Sequence, residues 1–97
     1  MSDFLLLAKF TEQGISNIKE SPARVKQFKE ICQAEGVTMS GYHLLMGQYD
    51  VACFVSADSP ETMARVSLIL GKRGNVHTQT FPAFSESEAA AIIDRVN

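Results

Sequence analysis

Tryptophan is absent, aromatic residues make up only 8% of the chain, and no apolar run is long enough to span a bilayer. The longest apolar run near the N-terminus, Phe4-Leu5-Leu6-Leu7-Ala8, is ended by Lys9. No basic segment precedes it and no small-residue cleavage site follows, so it does not read as a signal peptide. Charge of one sign is also missing: 9 Lys and Arg against 11 Asp and Glu give a formal net charge of −2. That balance, with so few aromatics, excludes a dedicated nucleic-acid binder, and membrane is not an expected partner. The two cysteines, Cys32 and Cys53, match no zinc or redox spacing and are too few for a disulfide scaffold. They are expected to be reduced, buried thiols of a cytoplasmic protein. His43, His77 and Cys53 are scattered, so neither a metal nor another cofactor is expected.

What is present is an alternation of short elements, read as one domain over residues 1–97. Asp3 to Phe10 is apolar at both odd and even positions, which predicts a strand buried on both sides. A short helical turn over Thr11 to Lys19 leads into a helix that begins at Ser21-Pro22, a cap followed by proline at the first helical position, and stops at Gly36. Thr38 to Met46 and Val51 to Ala57 read as strands around Gly47-Gln48, where glycine favours a two-residue type II′ hairpin turn. Asp58-Ser59-Pro60-Glu61 starts a second main helix with Met63, Val66, Ile69 and Leu70 as its apolar stripe. Gly71-Lys72-Arg73-Gly74 closes that helix. Because it follows a helix rather than a strand, it is no phosphate loop. Asn75 to Phe84 is the fourth strand, and Ser85-Glu86-Ser87-Glu88 is a capping box for a last helix carrying Ala89, Ile92, Ile93 and Val96. The order βαββαβ predicts an α+β, ferredoxin-like fold with a C-terminal helix. Its four-stranded antiparallel sheet has the order 4-1-3-2 and both main helices on one face. The two-sided first strand then requires that the other face be covered.

The predicted turn sets a register in which Met46 pairs with Tyr49, Leu45 with Asp50, Leu44 with Val51, and His43 with Ala52. The helix face then holds Tyr42, Leu44, Met46, Tyr49, Val51, Cys53 and Val55. The opposite face holds Gly41, His43, Leu45, Asp50, Ala52, Phe54 and Ser56. The faces of the fourth strand do not follow from its alternation. On the mixed face His43 and Asp50 are diagonal neighbours, an imidazole and a carboxylate within side-chain reach. They are the only candidates for catalysis, with no nucleophile beside them. With Phe54 as an apolar floor, the same pair forms the expected ligand site. The plainer alternative has Asp50 cap the hairpin and His43 make an ordinary interface contact.

Gly47-Gln48-Tyr49-Asp50 resembles the glycine–x–tyrosine–aspartate signature of the GYD domain family. Phe10-Thr11-Glu12-Gln13-Gly14 with Ile18-Lys19 is similar to that family's first strand-to-helix junction. Gly74-Asn75-Val76 with Thr78, Thr80 and Ala83-Phe84 resembles its last strand. The resemblance implies a bacterial or archaeal protein of the dimeric α/β-barrel kind, with two sheets stacked face to face. It implies little about activity. This chain has His43 and Leu45 where the family often has tyrosine and threonine, so ligand contacts at those positions do not transfer.

Three functional readings follow. The first is a homodimer that binds a small molecule in a cavity between its two sheets. The second is a cofactor-free oxygenase, isomerase or cyclase, which rests on fold analogy. The third is an oligomerisation or partner-binding module with a filled interface.

Overall fold

The computed structural model describes residues 2–97. Strand β1 (Ser2–Phe10) is followed by the short helix α1 (Glu12–Ser16), a single 3-10 turn (Ile18–Glu20) and helix α2 (Ser21–Ala34). Strands β2 (Thr38–Leu44) and β3 (Val51–Ala57) lead to helix α3 (Pro60–Lys72), strand β4 (Val76–Ala83) and helix α4 (Glu86–Asp94). The sheet order is β2-β3-β1-β4, and all three strand pairs are antiparallel. This is the predicted α+β arrangement with β1 at the centre.

The helix side of the sheet is the core. Phe4, Leu6 and Ala8 of β1 and Val51, Cys53, Val55 and Ala57 of β3 are buried against Phe28 and Cys32 of α2 and Met63 and Val66 of α3. Burying each large aliphatic side chain contributes roughly 1.5–3 kcal/mol, so these two helices are held by packing rather than by their own propensity. Ser59 caps α3 by accepting the Thr62 amide at 3.3 Å. Thr62, itself buried, donates its hydroxyl to Asp58 at 2.7 Å and holds that carboxyl below its ordinary range. The predicted capping box of α4 is formed, with Ser85 and Glu88 exchanging bonds to each other's backbone amides.

Two expectations are corrected. Gly41 sits at φ +64° and opens a β-bulge between the pairs Ser40–Phe54 and His43–Ala52, so two residues of β2 oppose one of β3. The predicted pairs His43–Ala52 and Leu44–Val51 are present, but beyond the bulge the faces of β2 exchange. Met39 instead of Ser40 turns to the core, and Ser40 instead of Gly41 faces out beside Phe54. The two-residue hairpin is not formed either. The ladder ends at Leu44–Val51, the Leu45 amide reaches the Asp50 carbonyl at 2.7 Å, and residues 46–49 make an open loop. Met46, in the loop, is fully exposed, and Leu44, at the end of the edge strand, is 71% exposed, instead of both lying under the helices. The physical reason is the pull of β1 on Asp50, described below.

The junction after β1 is locked to the start of β4. The Thr11 amide donates to the Asn75 carbonyl at 3.0 Å, the Thr11 hydroxyl to Gly74, and Gln13 Nε2 to the Arg73 carbonyl and the Asn75 side chain. Arg24 of α2 closes the cluster, donating to Asn75 Oδ1 at 3.2 Å and to the Gly14 carbonyl at 3.1 Å. Gly14 is buried there, and a Cβ on it would stand 2.1 Å from the Asn75 carbonyl oxygen.

Gly14→Ala is expected to destabilise by roughly 1–3 kcal/mol because backbone, not a flexible side-chain tip, must yield. Urea unfolding checks this, and an unchanged midpoint contradicts it. Both cysteines are free and buried, and burial raises each thiol from an ordinary value of 9.0 to about 11. Native protein at pH 8 is expected to react with a thiol reagent only at the rate of unfolding. Between pH 9 and 11 the unfolded chain loses these protons first, so stability falls with rising pH, by up to about 1.4 kcal/mol per unit for each thiol. Equilibrium unfolding across that range measures the slope.

Candidate functional site on the uncovered sheet face

The side of the sheet opposite the helices carries every second residue of the strands, and the register arranges these in rows. Ser40, Phe54, Leu5 and Phe81 form one row across all four strands. His43, Ala52, Leu7 and Gln79 form the next, and Lys9 and His77 pair beyond it. On the other side of the Phe54 row lie Thr38, Ser56, Asp3 and Ala83. The faces of β4 that its sequence left open are thereby set. Val76, Thr78 and Thr80 turn to the helices, and His77, Gln79 and Phe81 turn outward. The face has an apolar centre with Phe54 51% and Phe81 43% exposed, extended by Leu7 and Ala52 and ending in polar residues at either side.

The Gly47-Gln48-Tyr49-Asp50 loop closes one end of this face. Gly47 has φ +124°, a conformation strained for any side chain. The Asp50 amide donates to the Ala8 carbonyl at 2.9 Å, and the Asp50 carboxylate accepts the Phe10 amide at 2.9 Å. The carboxylate thus stands in for the next main-chain carbonyl of a ladder that β3 is too short to continue. This drags the loop away from β2 and over β1. Lys9 Nζ then donates to the Gln48 carbonyl at 3.3 Å, and the Tyr49 hydroxyl donates to Gln79 on β4. Tyr49, assigned by its alternation to the helix side, ends over the open face instead.

Of the three predicted ligand residues, His43 pairs with Ala52, which stands two residues from both Asp50 and Phe54 along β3. His43 lies on the open face, exposed, with its Nε2 folded back over Gly41. Asp50 is engaged by β1, and among the described residues no hydrogen bond joins it to His43. Phe54 borders a depression of about 260 Å³ at the opposite end, shared with Asp3, Ser40, Ser56, Phe84 and Ser85. Sequence reasoning put Tyr49 on the wrong face and left Gln79 and Phe81 of β4 unassigned, while the two-sided β1 had already pointed to Leu5. The tyrosine of the signature was the available signal, obscured because a two-residue turn would send it the other way. Among the described residues no three His, Cys, Asp or Glu side chains converge as metal ligands.

The model of the GYD domain matches residues 4–93. This chain belongs to the GYD domain family. It is also similar to a protein of Thermus thermophilus, 29% identical over 92 residues that cover 94% of this chain and 97% of the relative. That relative is named glutamine synthetase and cystathionine beta-lyase binding protein. The GYD signature in this chain is therefore a loop-to-strand lock: glycine permits the turn, tyrosine reaches across the sheet, and aspartate completes the β1 ladder.

Asp50→Ala is expected to lose roughly 1.5–3 kcal/mol, the worth of a charge-assisted bond whose amide partner is left unpaired. Asp50→Asn, which keeps an acceptor oxygen, should lose less. Urea unfolding of both variants tests this, and an alanine variant within about 0.5 kcal/mol of the parent contradicts it.

Proposed function

We propose that this chain is a non-catalytic protein-binding domain that works as a homodimer, its two open sheet faces stacked on each other. The observation that carries the reading is the apolar row Phe54–Leu5–Phe81, its two rings exposed and Leu5 partly so at the centre of the uncovered face, the anatomy of a docking surface. A second copy suits it by charge. The Lys9 end carries the Lys9 ammonium beside the Asp50 carboxylate, with His43 and His77 next to them, while the other end carries Asp3. A two-fold axis lying across the strands sets the first end of one copy over the second end of the other, and Phe54 over the partner's apolar row.

The name of the Thermus relative favours enzymes as further partners over a small molecule or a reaction. By that likeness, glutamine synthetase and cystathionine β-lyase are the partner classes for this chain. With the sheet faces occupied, α4 is the apolar element left over. It buries no side chain, and Ile92 and Ile93 are 49% and 66% exposed. A helix of nine residues is too short to be stable without packing, so it suits an enzyme surface. The free, buried thiols fit a cytoplasmic setting, and no helix among the described residues is long and apolar enough to cross a membrane. The ligand reading built on His43, Asp50 and Phe54 draws less support, because the Asp50 carboxylate already serves the β1 backbone.

Light scattering at tens of micromolar is expected to give twice the chain mass for the parent and one chain mass for Phe54→Glu, whose charge would be buried unpaired. Ile93→Asp should leave the dimer intact and abolish binding to glutamine synthetase from the same organism, measured by calorimetry. A monomeric parent, or a parent that binds neither enzyme, overturns the reading.

A further inference from the structure

A second feature lies on the other side of the sheet, away from the docking face. Beneath α2 a cavity of about 90 Å³ opens between that helix and strands β1, β3 and β4. Its depth is lined by Phe28, Val51, Cys53 and Leu6. Its mouth is lined by Ser21, Arg24, Gln27, Arg73 and Asn75. The lining holds two arginines and no carboxylate. Arg24 donates to Asn75 Oδ1 and the Gly14 carbonyl, and Arg73 to Gln27 Oε1 at 3.1 Å, all neutral acceptors. Among the described residues the one ion pair is Arg65–Glu35, so neither mouth arginine is neutralised. Both carry more N–H donors than these bonds use. The Ser21 hydroxyl also sits in the lining.

An apolar depth under a cationic mouth specifies an amphiphilic anion. The volume is below the roughly 150 Å³ of a cavity that accepts benzene, so the buried part is aliphatic and short. The arginine fork matches a carboxylate in geometry. We propose that this cleft binds a small monocarboxylate with a short aliphatic chain, its carboxylate held between Arg24 and Arg73 and its chain among Phe28, Val51 and Cys53. The site is independent of the sheet-face docking described above. It touches the Thr11–Asn75 lock through Arg24 and β2 through Tyr42, which lines the cleft on the helix side as its alternation predicts.

The probe is 4-methylpentanoate titrated in the millimolar range into isotope-labelled protein, followed by amide chemical shifts, with neutral 4-methylpentanamide as control. Saturable shifts are expected at Gly14, Phe28 and Asn75. The amide and the Arg73→Gln variant should each bind at least about tenfold more weakly. Arg73 is exposed, so its variant keeps the fold even if Arg24→Gln does not. Equal affinity for the amide, undiminished binding by Arg73→Gln, shifts confined to the open sheet face, or no saturable shift at all overturns the proposal.

Discussion

Strand β1 is hydrogen-bonded on both edges and apolar on both faces, and that constraint organises the molecule. Its even residues Phe4, Leu6 and Ala8 are buried by α2 and α3, as any half-covered sheet allows. Its odd residues Leu5 and Leu7 stay partly exposed although each has a strand neighbour on both sides. A single layer of helices satisfies only one side. Among the described residues no second layer covers the other side: α4, the remaining helix, has no buried side chain. Layered packing around a central strand is the physical basis of the proposed docking of another chain there.

The motifs of the GYD family acquire a physical meaning in that frame. Thr11 to Gly14 and Gly74-Asn75 are far apart in sequence but form one hydrogen-bonded lock, which fixes where β4 starts beside β1. The aspartate of the signature does the same for β3 at the other edge of β1. Both locks act on the backbone of one strand end, near Phe10. They set the register that lines up Phe54, Leu5 and Phe81 into a row. A slip of one residue on either side would break that row and invert a face.

The fold was legible in the sequence because its signals are local. Pro22 and Pro60 after serine, the Ser85–Glu88 box and the change of apolar period at Thr11 each mark an element on their own. The helix face of β3 was legible too, since Val51, Cys53 and Val55 alternate cleanly. The candidate site was less so. Gly41 reads as an ordinary strand glycine until its positive φ shows a bulge. Gly47-Gln48 reads as a hairpin turn, but Asp50 finds a better partner in the Phe10 amide, a residue 40 positions away. The faces of β4 depend on its register with β1, which alternation of Thr, Gln and His does not encode. His43 stands in its predicted pair with Ala52, two residues from Asp50, but no local signal reveals that the Asp50 carboxylate also accepts a backbone amide 40 positions away.

In the proposed homodimer the odd face of β1 is completed by a second copy laid across it. Isotope-filtered nuclear Overhauser spectroscopy on a mixed sample of labelled and unlabelled chains tests it directly. Intermolecular contacts are expected from the Phe54 and Phe81 rings to Leu5 and Leu7 methyls, with Lys9 side-chain protons near Asp3 of the other copy. Intermolecular contacts confined to α4 or to the outer surfaces of α2 and α3, with the Phe54 row silent, would contradict the account.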